Sequence, residues 1–415
     1  MTCASAVSIS GPVPEARGLS PAVAFYLQAS ITVSFLAGSS APTPLYPLYQ
    51  AQWGFSPITV TVVFGIYALA LLSALLVAGR LSDHVGRRPV LVVAAVVQVA
   101  AMLAFATADG LSGLLIARVI QGLSTGAALA AVGAGMLDLD KTRGAVANAV
   151  APPLGTAIGG IIAGLMVHYL PAPTHLIYLV LGVIFIVQAI GIVLMPESIS
   201  PQSGAIASLK PQFRLPVATR EPMLLAVPVL VAASALTGFY ASLVPALIHG
   251  ILGLDSSLLG GGALFVLAGS GAIAVLLLQH QEPRTMMWFG ASALLAGVAV
   301  ALTALSYHSA IAFFLGTAVA GLGFGAGFQG AIRTVVPFAA PHERAGVLSV
   351  IFVVSYLAMG VPAVIAGYLV AQQGNILATA RGFGVVVMIL AAVAVLGAAT
   401  KRPPRPVLSR EAIPR

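Results

Sequence analysis

Charge is what this sequence has least of. Acidic and basic residues make up 7% of its 415 positions, against about 25% in an ordinary soluble domain, so the chain cannot cover a water-facing surface. Carboxylates are the scarcest. Glu15, Asp83, Asp109, Asp138, Asp140, Glu197, Glu221, Asp255, Glu282, Glu343 and Glu411 each fall in a tail, between two apolar runs or at the end of one. A carboxylate or histidine within a membrane helix is the usual proton carrier, because burial brings its pKa into the working range. None occupies the middle of a run, which argues against simple proton antiport. The one cysteine, Cys3, excludes an intrachain disulfide. No Gly-x-x-x-x-Gly-Lys-[Ser/Thr] stretch occurs, so there is no sign of an ATP site. His, Asp, Glu and Cys do not cluster at one end of the runs, as the site of a polytopic membrane enzyme would require. No catalytic residue, cofactor or metal ligand is expected. A receptor would normally add a soluble signalling domain, and none is visible.

Apolar length is what the chain has instead. Hydrophobic residues make up 59% of it and the mean hydropathy is +1.05. The runs are near 20 residues long, enough to cross a bilayer of about 30 Å at about 1.5 Å per residue. Twelve spans are predicted: 21–41, 57–78, 89–107, 111–136, 144–169, 174–195, 223–247, 256–279, 285–306, 309–336, 345–371 and 377–399. Ser56-Pro57 opens one of them with a capping hydroxyl and a proline that needs no N–H partner. The expectation is an all-α integral membrane protein with twelve transmembrane helices in two pseudo-symmetric six-helix halves. Its parts are a tail (1–20), an N-terminal half (21–196), a polar central loop (197–222), a C-terminal half (223–399) and a second tail (400–415).

The net charge of +8 does not form a nucleic-acid stripe. Arg118, Arg333 and Arg381 fall within spans, and every other lysine and arginine lies in a tail or an alternate loop. The positive-inside rule then puts both termini and the central loop in the cytoplasm of a cell-membrane protein. The halves also echo each other. "QGLSTGAA" (121–128) aligns with "AGLGFGAG" (320–327), and "IIAGLMV" (161–167) with "VIAGYLV" (364–370), each about half a chain apart. Internal repeats of this kind build secondary transporters, with the substrate at the repeat interface.

Between spans 2 and 3 the chain reads "GRLSDHVGRRPVL" (79–91). Gly79 and Gly86 lack Cβ and allow tight turns; Asp83 has Arg80 three residues before and Arg87 four after, within helical reach. The stretch resembles the signature loop of the major facilitator superfamily, Gly-x-Leu-[small]-Asp-x-x-Gly-Arg-[Arg/Lys]-x-x-[aliphatic]. Gly79, Leu81, Ser82, Asp83, Gly86, Arg87, Arg88 and Leu91 match, and His84 and Val85 depart from it. The resemblance implies alternating access between two halves. It also implies a conformational switch at Gly79, Asp83, Gly86, Arg87 and Arg88, with Asp83 engaging the facing half near the start of span 11 in one state only. The plainer reading is a solvated loop whose arginines hold it inside.

"ARVIQGLSTGAA" (117–128) resembles the family's span-4 motif through Arg118, Gln121 and Gly122. Arg118 would lie roughly 10 Å below the outer surface at about 1.5 Å per residue, either functional or snorkelling outward. "GTAIGGIIAG" (155–164) is an imperfect match to a span-5 motif of the family's exporters; Gly155, Gly159, Gly160 and Gly164 would allow close helix contact. In span 1, Gln28, Thr32, Phe35 and Ser39 share one face, which makes Gln28 and Thr32 candidates to line a cavity, with buried interhelix bonds as the alternative. Tyr46, Tyr49 and Trp53 are expected as interfacial anchors.

The expected function is transport of a small organic molecule across the lipid bilayer, with export favoured and facilitated or uptake transport of a sugar or organic anion as the alternative. A monomer is expected, and the coupling ion is left open.

Overall fold

The computed structural model describes residues 18–252 and 257–400. Most of the two tails, with Cys3, Glu15, Arg17 and Glu411, and Asp255 in the loop after the seventh span lie outside the described residues.

Twelve described helices are long and apolar enough to cross a membrane. They are α1 (Pro21–Ser40), α2 (Pro57–Ala78), α3 (Arg87–Ala106), α4 (Leu111–Leu139), α5 (Lys141–Tyr169), α6 (Pro173–Val193), α7 (Val217–Ser242), α8 (Ser257–Leu278), α9 (Pro283–Ser306), α10 (Ala310–Val335), α11 (Arg344–Gln373) and α12 (Ile376–Thr400). Ser56 caps α2 as expected, its Oγ accepting from Thr59 N. Two helices, α5 and α7, start at least three residues earlier than the hydropathy of their sequences predicts. In α5 the carboxylate of Asp140 accepts from Thr142 N and Arg143 N, both at 2.9 Å, so the polar first turn is helical too. In α7 the helix begins at Val217, ahead of its apolar stretch. α1 and α7 also match in how they end, each followed by a short helix, Tyr46–Trp53 and Val244–Leu252.

The two halves use the same packing plan. In the first, α1 packs on α5, α2 on α4, α3 on α4 and α3 on α6; in the second, α7 packs on α11, α8 on α10, α9 on α10 and α9 on α12. The apolar core is correspondingly double, one large cluster drawn from residues 24–195 and another from 223–398. The repeated sequence motif has the same task in each half. A Cβ on Gly126 would lie 2.3 Å from Leu71 O of α2, and one on Gly325 would lie 2.1 Å from Gly271 O of α8. Only glycine permits backbones this close.

Two symmetric seams join the halves, α5 against α8 and α2 against α11. At the first, a Cβ on Gly261 would lie 2.2 Å from Gly160 O. At the second, Phe64 of α2 packs in one cluster with Ala241 of α7 and Ala363 and Met359 of α11. Thr43, just beyond α1, donates its hydroxyl to Ala241 O at 2.9 Å. These contacts favour the end of the bundle remote from the basic loops.

Candidate functional site

The helix packing assembles two polar sites in the first half. The deeper is built around Arg118, in the second turn of α4. It is 0% exposed, so it does not snorkel. Its Nη1 donates to Ser39 O at 3.0 Å and Gln121 Oε1 at 2.8 Å, and its Nη2 to Tyr46 Oη at 2.5 Å. Gln121 Nε2 donates to Gly38 O at 2.9 Å. Gly38 and Ser39 belong to the last turn of α1, whose carbonyls have no partner within the helix and carry the negative end of its dipole. That is how a buried guanidinium is held without a carboxylate. The rings of Tyr67, Phe105 and Tyr46 surround it, with centroids 5.2, 5.7 and 5.9 Å from Cζ, close enough for cation–π attraction. Its Nε has no protein partner.

Two expectations change here. Tyr46 and Tyr49 are not interfacial anchors: both are buried. The short helix after α1 folds them inward because Arg118 supplies a donor for Tyr46 and the Tyr178 hydroxyl stands 3.0 Å from that of Tyr49. Trp53 stacks on Tyr49 at 4.7 Å. The polar face of α1 is also enclosed. Gln28 and Thr32 are buried, Gln28 Nε2 lies 3.5 Å from Met195 Sδ, and Phe35 meets the Phe185 ring of α6 edge-on. That face packs against its own half, so Arg118 and Gln121 come together and Gln28 and Thr32 stand apart from them.

The C-terminal half has no counterpart to this charge. Where the repeat puts Arg118 and Gln121, it carries Thr317 and Ala320. Thr317 Oγ1 stands 2.7 Å from Tyr240 Oη.

The second site is the loop 79–91. Gly79 closes α2, and Ser82–Val85 form one helical turn. Of the two arginines near Asp83, the structure pairs it with Arg87. The Arg87 side chain also donates to Ser82 Oγ at 2.7 Å and Asp138 Oδ2 at 3.0 Å, tying the loop to the end of α4. Glu197, from the central loop, accepts Arg87 N at 2.8 Å and Arg88 N at 3.0 Å. An anion thus sits on the N-terminus of α3, where exposed N–H groups and the dipole favour it. Gly86 has φ of +107°, and a Cβ there would lie 2.5 Å from Glu197 Oε2, so glycine is needed for both reasons. Glu197 and Asp138 were visible in the sequence only as acids at span ends. Their partners are far away in the chain, and no local spacing points to them.

The glycines of α5 divide between two neighbours. A Cβ on Gly155 would lie 2.4 Å from Val33 O and one on Gly159 2.2 Å from Ala37 O, both on α1. Gly160 and Gly164 face Gly261 and Leu258 of α8 across the seam. Among the described residues, no three His, Cys, Asp or Glu come together in a group that could hold a metal.

Known proteins share this architecture. A bacterial homologue of the human lysosomal transporter Spinster, solved in an inward-facing and unoccupied conformation, superposes with a TM-score of 0.71 at 13% identity, covering 91% of this chain and 97% of that one. The nucleoside transporter NupG gives 0.65 at 12% identity, covering 91% and 98%. In sequence, the multidrug resistance protein MdtL of Klebsiella pneumoniae is 29% identical over 185 residues, 41% of this chain and 46% of that protein, so the match spans about half its length. MdtL of Vibrio parahaemolyticus is 27% identical over 325 residues, 73% of this chain and 78% of that protein. The Major Facilitator Superfamily model matches residues 29–361. With its signature loop, its paired six-helix halves and a family match over most of its length, this multi-pass membrane protein belongs to the major facilitator superfamily.

Proposed function

We propose that this transporter exports a small organic molecule from the cytoplasm across the cell membrane by alternating access. The observation that carries the reading is the state of Asp83. It is held by Arg87 of its own loop while α2, α7, α11 and the stretch after α1 meet towards the end remote from that loop. In the opposite state the halves close at the basic end and Asp83 reaches the start of α11. A contact made in one state alone shifts the equilibrium between states. The likeness to multidrug resistance proteins favours export.

Recognition centres on Arg118 and Gln121. Arg118 Nε has no protein partner and Nη2 bonds only Tyr46, so two of the five guanidinium N–H donors are free among the described residues. The Tyr67 ring packs on Arg118. A substrate bearing a carboxylate or carbonyl beside an apolar or aromatic body answers both features. With no carboxylate at mid-helix, coupling does not run through a buried acid.

The test is transport by purified protein in liposomes, screened across compound classes with and without imposed proton and sodium gradients. Asp83→Asn is expected to insert normally and lose most transport, and transport by the unaltered protein should persist when the proton gradient alone is dissipated. Near-normal transport by Asp83→Asn would reduce the loop to an anchor. Strict dependence on the proton gradient would overturn the coupling argument.

A further inference from the structure

Residues 205–224 place large apolar side chains and cations together on the surface of the basic end. Ile206 is 86% exposed, Phe213 57%, Val217 77% and Leu224 74%. Lys210, Arg214 and Arg220 are exposed among them. Val217, Arg220 and Leu224 follow i, i+3, i+7 on the first two turns of α7 and share one helix face, so this apolar surface runs on into the spanning part of α7.

The segment is anchored to both halves. Gln202 N donates to His84 O at 2.7 Å on the N-terminal half. On the C-terminal half Arg214 lies against the start of α11, where a Cβ on Gly346 would come 3.1 Å from Arg214 N. Among the described residues nothing covers its exposed side chains. Its cations are also uncommitted: Lys210, Arg214 and Arg220 form no ion pair among the described residues. The one hydrogen bond from their side chains is long, Arg220 Nε to Leu215 O at 3.5 Å. Two acids stand nearby. Glu221 is exposed and forms no ion pair among the described residues, and Glu343, which precedes α11, accepts from Ala340 N at 3.3 Å.

We propose that residues 205–224 form a binding surface for an anionic phospholipid of the leaflet at the basic end. The headgroup phosphate lies on Lys210, Arg214 and Arg220, and an acyl chain runs along Phe213, Val217 and Leu224. A soluble anion would use the cations alone, and an apolar partner only the rest. An amphiphile with a phosphate beside a hydrocarbon chain uses both, and guanidinium groups match phosphate through paired N–H donors. The proposal is independent of which solute is carried or in which direction.

The experiment compares full-length protein in detergent titrated with phosphatidylglycerol or phosphatidylcholine, reading the thermal unfolding midpoint and counting retained lipids by native mass spectrometry. Phosphatidylglycerol should raise the midpoint more and remain bound in greater number. Arg214→Gln with Arg220→Gln should weaken that preference by about fivefold per cation removed and leave the midpoint in phosphatidylcholine unchanged. Lys141→Gln with Arg143→Gln, an equal loss of charge at the same end, should keep the preference. Ile206→Ser with Phe213→Ser, which spares the cations, should also reduce it. Equal loss in both charge variants, an equal effect of inorganic phosphate, or full retention in the apolar variant would each overturn the proposal.

Discussion

Arg118 shows how a charge can be stable where no opposite charge exists. Its acceptors are a hydroxyl, an amide and a helix-terminal carbonyl, and each charge-assisted bond contributes more than a neutral one. Tyr46→Phe removes one acceptor and leaves the guanidinium short of a partner in the core. Stability should fall by about 1.5–3 kcal/mol, measured by thermal unfolding in detergent. Arg118→Lys keeps the charge but loses the planar fork that reaches α1 and Tyr46 together. Transport is expected to fall about tenfold, a loss of about 1.4 kcal/mol, and Arg118→Gln should be worse because the charge goes and Ser39 O, Gln121 Oε1 and Tyr46 lose their donor. Vesicle transport at several substrate concentrations checks both; unchanged apparent affinity in the two variants would remove Arg118 from recognition. The sequence made Arg118 and Gln121 legible as a pair because they lie one helical turn apart. It hid Tyr46, which lies 72 positions away and resembles an interfacial tyrosine until the fold turns it inward.

At the scale of elements, the helices themselves were legible, since hydropathy and length locate a span and Ser56-Pro57 marks a start. Their exact beginnings were less so, because a side-chain cap such as Asp140 extends a helix into polar sequence. The glycines of α5 were readable as packing residues, but their division between α1 and α8 depends on the rotation of the helix in the bundle. That division has a consequence for the seam. Gly261→Val places atoms where Gly160 O already lies and should separate α5 from α8. The variant is expected to reach the membrane in normal amount and lose most transport. Gly382→Ala, where an added Cβ meets nothing within 4 Å, should transport normally. Comparing the two at matched expression checks the prediction, and a fully active Gly261→Val would show that the seam need not be tight.

For the whole molecule, the repeat was readable because the small residues that hold α4 to α2 recur where α10 meets α8. That the buried charge belongs to the first half was not, since Arg118, Arg333 and Arg381 all fall within predicted spans. Nor was what it does there, because the answer depends on three-dimensional neighbours. The orientation expected from the basic loops can be checked directly. In a protein whose Cys3 is replaced by serine, a single cysteine at Gln52 should react with an impermeant reagent in intact cells, and one at Ser203 should not. The reverse pattern would turn the molecule over.

The seams between the halves have one more implication. They are sealed by apolar fit, close backbone at α5–α8 and Phe64 with Met359 at α2–α11, and lipid tails offer helices almost as much apolar contact as other helices do. Parting one end of such a seam and closing the other exchanges like for like. The two states are then nearly balanced in free energy, and a ligand's differential affinity decides which is populated. Reversing a 1:99 equilibrium takes about 5.5 kcal/mol, whereas tipping an even one takes about 1.4 kcal/mol for a tenfold shift. A transporter poised in this way can be driven by molecules it holds only loosely, and so by many kinds of them.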